Sequence, residues 1–155
     1  MKKMLAGAAA VFVLLFYSSS FGYLGMSLEQ MEKAMGAPAK KANANSYIFE
    51  SRVKKDNRIL KIKTGDLIKI EAVFKDNKVV SETIFLPNKL DNQKDVLNWI
   101  WTYTGGRIRD INRPKTKVIR EAGGEKAYYF TGGYWAVPRI DPSDGTVVSI
   151  TLGKQ

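Results

Sequence analysis

Ile68-Lys69-Ile70-Glu71-Ala72-Val73-Phe74-Lys75, Asp76-Asn77, then Lys78-Val79-Val80-Ser81-Glu82-Thr83-Ile84-Phe85-Leu86 is the stretch on which the fold turns. Ile68, Ile70, Ala72 and Phe74 alternate with Lys69, Glu71 and Lys75, so one side of an extended chain is apolar and the other wet. Asp76-Asn77 is a two-residue turn of the kind that closes a tight hairpin. Pro87 closes the second strand at Leu86, because it has no N–H to give a ladder.

Two further alternating segments precede this hairpin. Tyr47, Phe49, Ser51 and Val53 share one strand face, and the chain turns near Asp56-Asn57. Leu60 and Ile62 alternate with Lys61 and Lys63 up to Gly65-Asp66. Before them Ser27 and Gln30 form a capping box, with Met26 and Met31 at the staple positions. Leu28, Met31 and Met35 make one apolar stripe, and Gly36 and Pro38 end it. The first part of the chain therefore reads as a helix followed by a four-stranded antiparallel meander.

The rest replays this plan. Asp91 caps a helix through Val96, Leu97, Ile100 and Trp101 that stops at Gly105-Gly106. Strands are expected at Lys115–Glu121, Lys126–Thr131, Tyr134–Ile140 and Thr146–Leu152, with turns at Gly123-Gly124, Gly132-Gly133 and Asp144-Gly145. Asp76-Asn77-Lys78-Val79-Val80-Ser81 lines up with Asp144-Gly145-Thr146-Val147-Val148-Ser149, 68 positions on. Matched turn spacing points to a tandem repeat. The expected fold is α+β: two tandem units, residues 23–88 and 89–155, each a helix on a four-stranded antiparallel meander.

Residues 1–22 read as a signal peptide. Lys2 and Lys3 give a positive start, Met4 to Tyr17 an apolar core, and Ser20 and Gly22 occupy the −3 and −1 positions of a cleavage after Gly22. The apolar core is shorter than the roughly 20 residues of a spanning helix. No stable membrane anchor is expected, and the location is periplasmic or secreted.

Without that segment, 133 residues carry 23 basic and 15 acidic side chains, net +8, which favours anionic partners. Cysteine and histidine are both absent. Their absence removes the thiol nucleophile, the commonest general base and the usual zinc ligands. There is no nucleophile elbow, phosphate loop or dinucleotide fingerprint. Asp91 with Asp95, or Asp141 with Asp144, are the conceivable acid/base pairs, but a cap and a turn explain them better. No catalytic residue, metal or cofactor is assigned, and no nucleic-acid motif is present.

Gly25-Met26-Ser27-Leu28-Glu29-Gln30-Met31-Glu32-Lys33-Ala34-Met35-Gly36-Ala37-Pro38 resembles the opening helix of the small outer-membrane assembly lipoproteins. The tandem arrangement resembles the related β-lactamase-inhibitor-protein fold, in which a concave sheet surface grips a partner. The chain lacks both the lipidated cysteine of the first group and the disulfides of the second. The resemblance implies a binding module of the cell envelope or exterior, and the absence of cysteine leaves it no residue to lipidate.

Two candidate surfaces follow. Aromatic residues crowd the second half, and Tyr128, Tyr129, Tyr134 and Trp135 are the expected partner-binding set for another envelope or extracellular protein. By alternation Tyr128 and Phe130 share a face opposite Tyr129, and Tyr134 and Trp135 point to opposite faces. The densest basic run, Arg107, Arg109, Arg113, Lys115, Lys117 and Arg120, is the alternative, an anion-binding surface with Arg107, Arg109, Arg113 and Lys117 as its expected contacts.

Overall fold

A computed structural model describes residues 22–36, 38–106, 108–120 and 125–155. Residues 1–21 of the expected signal segment, Arg107 and the Gly123-Gly124 turn lie outside the described residues.

Helix α1 (Leu28–Met35) begins at Ser27, whose hydroxyl accepts from the Gln30 N–H at 3.2 Å while the Gln30 side chain accepts from the Ser27 N–H at 2.9 Å. Gly36 ends it in the left-handed conformation (φ 64°), its N–H donating to the Glu32 carbonyl. Strands β1 (Lys40–Lys41), β2 (Ser46–Arg52), β3 (Leu67–Lys75) and β4 (Lys78–Leu90) follow, then α2 (Gln93–Tyr103). The chain closes with β5 (Lys115–Arg120), β6 (Glu125–Tyr129), β7 (Tyr134–Ile140) and β8 (Val147–Lys154).

The expected division into two units is overturned. All eight strands form one antiparallel sheet in the order β1-β2-β3-β4-β8-β7-β6-β5. The join is β4 against β8, in register from Ser81↔Gly153 to Phe85↔Ser149. Two separate meanders would each leave a long strand edge with unpaired N–H and C=O groups, and joining them satisfies both edges. The core is likewise one cluster, running from Met31, Phe49 and Ile70 through Ile84 and Ile150 to Trp99, Ile100 and Tyr128. Both helices therefore pack on the same face of the same sheet.

Local details depart from expectation for identifiable reasons. Leu60 to Lys63 is a turn, not a strand. Asn57 Oδ1 accepts from the N–H groups of Ile59 and Leu60, Lys61 is left-handed (φ 51°), and only the isolated bridge Asn57↔Ile62 remains. The outer strand is instead the short β1, Lys40↔Ile48 and Lys41↔Tyr47. Strand β4 runs past Pro87 to Leu90, because its pairing with β8 is already interrupted between Phe85 and Leu90 and Pro87 removes no bond from it. The cap of α2 is Asn92, which accepts from the Asp95 N–H at 2.9 Å, while Asp91 pairs with Lys61 at 3.8 Å. In α2 the buried side chains are Val96, Trp99 and Ile100, and Trp101 is 45% exposed.

The Asp76-Asn77 hairpin forms as read, both residues left-handed (φ 52° and 55°). Just after it the register slips: Val79 pairs with Phe74 and Ser81 with Val73, which leaves Val80 as an extra residue. A bulge flips the phase of everything beyond it. Val79, Glu82 and Ile84 all face the core, each at most 2% exposed. An acidic side chain thus lies fully buried at the centre of the sheet.

Candidate functional site

Register fixes which side chains share a face. One row across the core side runs Tyr47, Ala72, Glu82, Leu152, Ala136, Tyr128. One row on the opposite side runs Val73, Ser81, Gly153, Trp135, Tyr129, Lys115. The helices cover the first side. The second is left half exposed, with Ile48, Phe85, Trp135, Tyr129 and Val137 partly accessible and Val73 37% exposed.

The four aromatic residues of the expected partner set separate accordingly. Tyr128 is 5% exposed on the core side, so it supports the core and is withdrawn from any partner surface. Burial also pushes its phenol pKa up. Tyr134 lies on the core side too, half-buried, with the Lys154 ammonium 4.9 Å above its ring. Tyr129 and Trp135 are cross-strand neighbours on the open side. There the indole lies against Gly153: a β-carbon at that position would collide with the ring, so glycine is what lets the indole settle against the sheet. Lys69 sits 5.2 Å from the Phe85 ring centre on the same face.

The basic run is spread out rather than convergent. Arg109 and Arg113 are exposed on the loop after α2, and Lys115 and Lys117 are exposed on β5, the outermost strand. Asp110 braces that loop by accepting from the Thr131 N–H and hydroxyl at 3.0 Å each. Lys115 is the member that registers with an aromatic residue of the open face, Tyr129.

Each carboxylate pair holds a lysine. Asp141 and Asp144 both hold Lys89 at 2.9 Å. Hydrogen bonds from Ser143 and then Lys89 hold the Asp141 carboxyl well below the usual range. Thr146 and Lys89 do the same for Asp144. Asp95 pairs with Lys61 at 3.0 Å. Carboxyls held low, as those of Asp141 and Asp144 are, are poor proton carriers at neutral pH. Among the described residues no cluster of three His, Cys, Asp or Glu side chains has a metal-binding arrangement. No helix of the described residues is long and apolar enough to cross a membrane.

The group that sequence reading missed is Glu82. Its side chain is wholly buried, and both carboxyl oxygens lie 3.2 Å from the backbone N–H of Tyr23. Burial raises its pKa from 4.5 to about 8 against the lowering effect of the Tyr23 N–H and the Tyr103 phenol. The phenol of Tyr103 is beside it, but its geometry falls short of a proper hydrogen bond. Tyr103 stacks on Trp99 at 4.8 Å. The phenol of Tyr23 is raised to about 12, by burial and then by Glu82.

No protein-family profile matches the chain, and no curated protein does. Among solved structures it is similar to a cysteine-rich secretory protein from Staphylococcus aureus subsp. aureus Mu50, at 10% identity and TM-score 0.42 over 86% of this chain and 45% of that one. It is also similar to an extracellular SCP-domain protein from Bacillus anthracis str. Ames, at 9% identity and TM-score 0.40 over 86% and 44%. The chain spans less than half the length of either.

Proposed function

We propose that this is an exported, non-enzymatic binding module of the cell envelope or exterior that grips a protein partner through the open face of its sheet. The observation that carries the reading is the Tyr129–Trp135 pair, two large aromatics side by side on the face the helices leave uncovered. Tyr and Trp supply rigid contact area at low entropic cost, and they dominate binding hot spots. Val137 and Val73 extend the apolar centre, while Lys115, Lys69 and Arg139 fringe it. A complementary partner has an apolar patch with an acidic rim.

The alternative, capture of an anionic small molecule or polymer, rests on the exposed Arg109, Arg113 and Lys117. Salt separates the two, since polymer binding through scattered charges weakens steeply with ionic strength and an aromatic-anchored contact persists. Affinity capture from periplasm or culture medium supplies the partner. Trp135→Ala and Tyr129→Ala should then each weaken binding at least tenfold with the fold intact, while Arg109→Ala with Arg113→Ala leaves it unchanged. The reverse pattern would replace the first reading by the second.

A further inference from the structure

Glu82 is wholly buried, and among the described residues the backbone N–H of Tyr23 donates to it. Glu82 and Ile150 lie 68 residues apart, the spacing that relates the two hairpin turns, and Ile150 is a fully buried apolar residue. An acidic group thus stands where the corresponding position in the other half is hydrocarbon. Removing an ionised carboxylate from water costs several kcal/mol unless it is paired, which is why burial holds the proton on Glu82. Among the described residues, the Tyr23 amide N–H is shared between the two Glu82 oxygens, both at 3.2 Å, long for a hydrogen bond to a carboxylate. A carboxylate has room for about four such bonds.

That N–H belongs to Tyr23, the residue after the cleavage position marked by Ser20 and Gly22. Gly22 itself is jammed: it is left-handed (φ 50°), and a β-carbon there would collide with Glu82 and with the Tyr103 ring. The segment beyond is stitched to the start of β4, with the Gly25 N–H donating to the Val79 carbonyl at 2.8 Å and the Val79 N–H to the Met26 carbonyl at 2.9 Å. The Tyr23 nitrogen is therefore held facing Glu82 whether or not anything precedes it.

We propose that the Gly22–Tyr23 bond is the export-processing site and that the α-ammonium it creates on Tyr23 is received by Glu82 as a buried ion pair. The inference rests on the export reading above. A signal peptidase adds one water across the amide, leaving a carboxyl on Gly22 and an amine on Tyr23. The buried Glu82 carboxyl then gives its proton to that amine, forming carboxylate and ammonium in place. An ammonium has three protons where the amide had one, so it serves both oxygens at once, and departure of Gly22 opens the space they need. Among the described residues the other titratable groups facing Glu82 are the phenols of Tyr23 and Tyr103, while its strand neighbours Ala72 and Leu152 are apolar.

The test begins with the full chain expressed in a secreting bacterial host and the exported product weighed intact. A start at Tyr23 is expected. A retained leader overturns the export reading, whereas a start at Phe21 or elsewhere leaves export standing and sinks this inference. Chain beginning at Tyr23, released from a cleavable fusion, is then compared with chain beginning at Gly22. The Tyr23 amine should react with an acylating succinimidyl ester at least tenfold more slowly than the Gly22 amine, and Glu82→Gln should abolish that protection. If Glu82→Gln does not fold, the Gly22 chain alone decides. Equal amine reactivity in the two chains refutes the ion pair.

Discussion

The hydroxyls of Thr83 and Thr151, 68 residues apart, meet at 2.8 Å across the join between β4 and β8. The same spacing separates Asp76 from Asp144, so the pairing is centred on corresponding positions of the two halves. Each half offers the other its own last strand, and the seam is the middle of the molecule rather than a contact between finished units.

Disruption of that seam should therefore unfold everything. Ile150 is 0% exposed and pairs with Ile84 there. Ile150→Ala is expected to cost about 2–5 kcal/mol. Tryptophan fluorescence, which reports α2 and β7, and amide exchange in β2 and β3 should show one coincident transition. A first half that stays protected after the second has melted would contradict a single cooperative sheet.

The threonine pair permits a finer measurement. Thr83→Val keeps the β-branch but leaves the Thr151 hydroxyl without its partner, at a cost of about 1 kcal/mol. Thr151→Val should do the same. The double substitution should cost less than the two singles together, because neither hydroxyl is then stranded. Urea titrations of the four proteins complete the cycle.

Much of this architecture was legible because it is local. Asp76-Asn77 announces a hairpin through the left-handed tolerance of both residues, and Ser27 with Gln30 announces a helix start through two reciprocal bonds. The order of strands was not legible. Alternation says that β4 and β8 each have an apolar side, but it is silent on which edges meet, and that choice merged two expected units into one sheet. The candidate site failed at a subtler point. Strict alternation from Val79 puts Glu82 in water, and only the extra residue Val80 turns it inward. Alternation did separate Tyr129 from Tyr128 and Trp135 from Tyr134, but the register that sets Tyr129 beside Trp135, and the side the helices cover, were not in the sequence pattern.

Gly153 offers a way to move Trp135 without touching it. Gly153→Ala puts a methyl group where the indole now rests, and the ring must lift off the sheet. Overpacking of this kind costs about 1–3 kcal/mol. Tryptophan emission should shift to longer wavelength as the indole enters water, and partner binding should fall as it does in Trp135→Ala. If binding survives with the emission shifted, the indole is a lid on Gly153 and not an anchor.

Glu82 sets the sign of the pH dependence wherever Tyr23 is still an amide. In the folded chain its carboxyl keeps its proton up to about pH 8, while in the unfolded chain it releases it near 4.5. Across that window the folded state binds more protons, so stability is full below pH 4.5 and declines as pH rises toward 8. The slope approaches about 1.4 kcal/mol per pH unit. Chain preceded by Gly22 should show this decline in urea midpoints between pH 5 and 8, and Glu82→Gln should flatten it. Chain beginning at Tyr23 should reverse it on the acid side, because its carboxylate, once paired with the ammonium, adds stability that is lost as pH falls through the carboxylate's own lowered pKa. Identical profiles for the two chains would mean that Glu82 does not distinguish an amide from an ammonium at Tyr23.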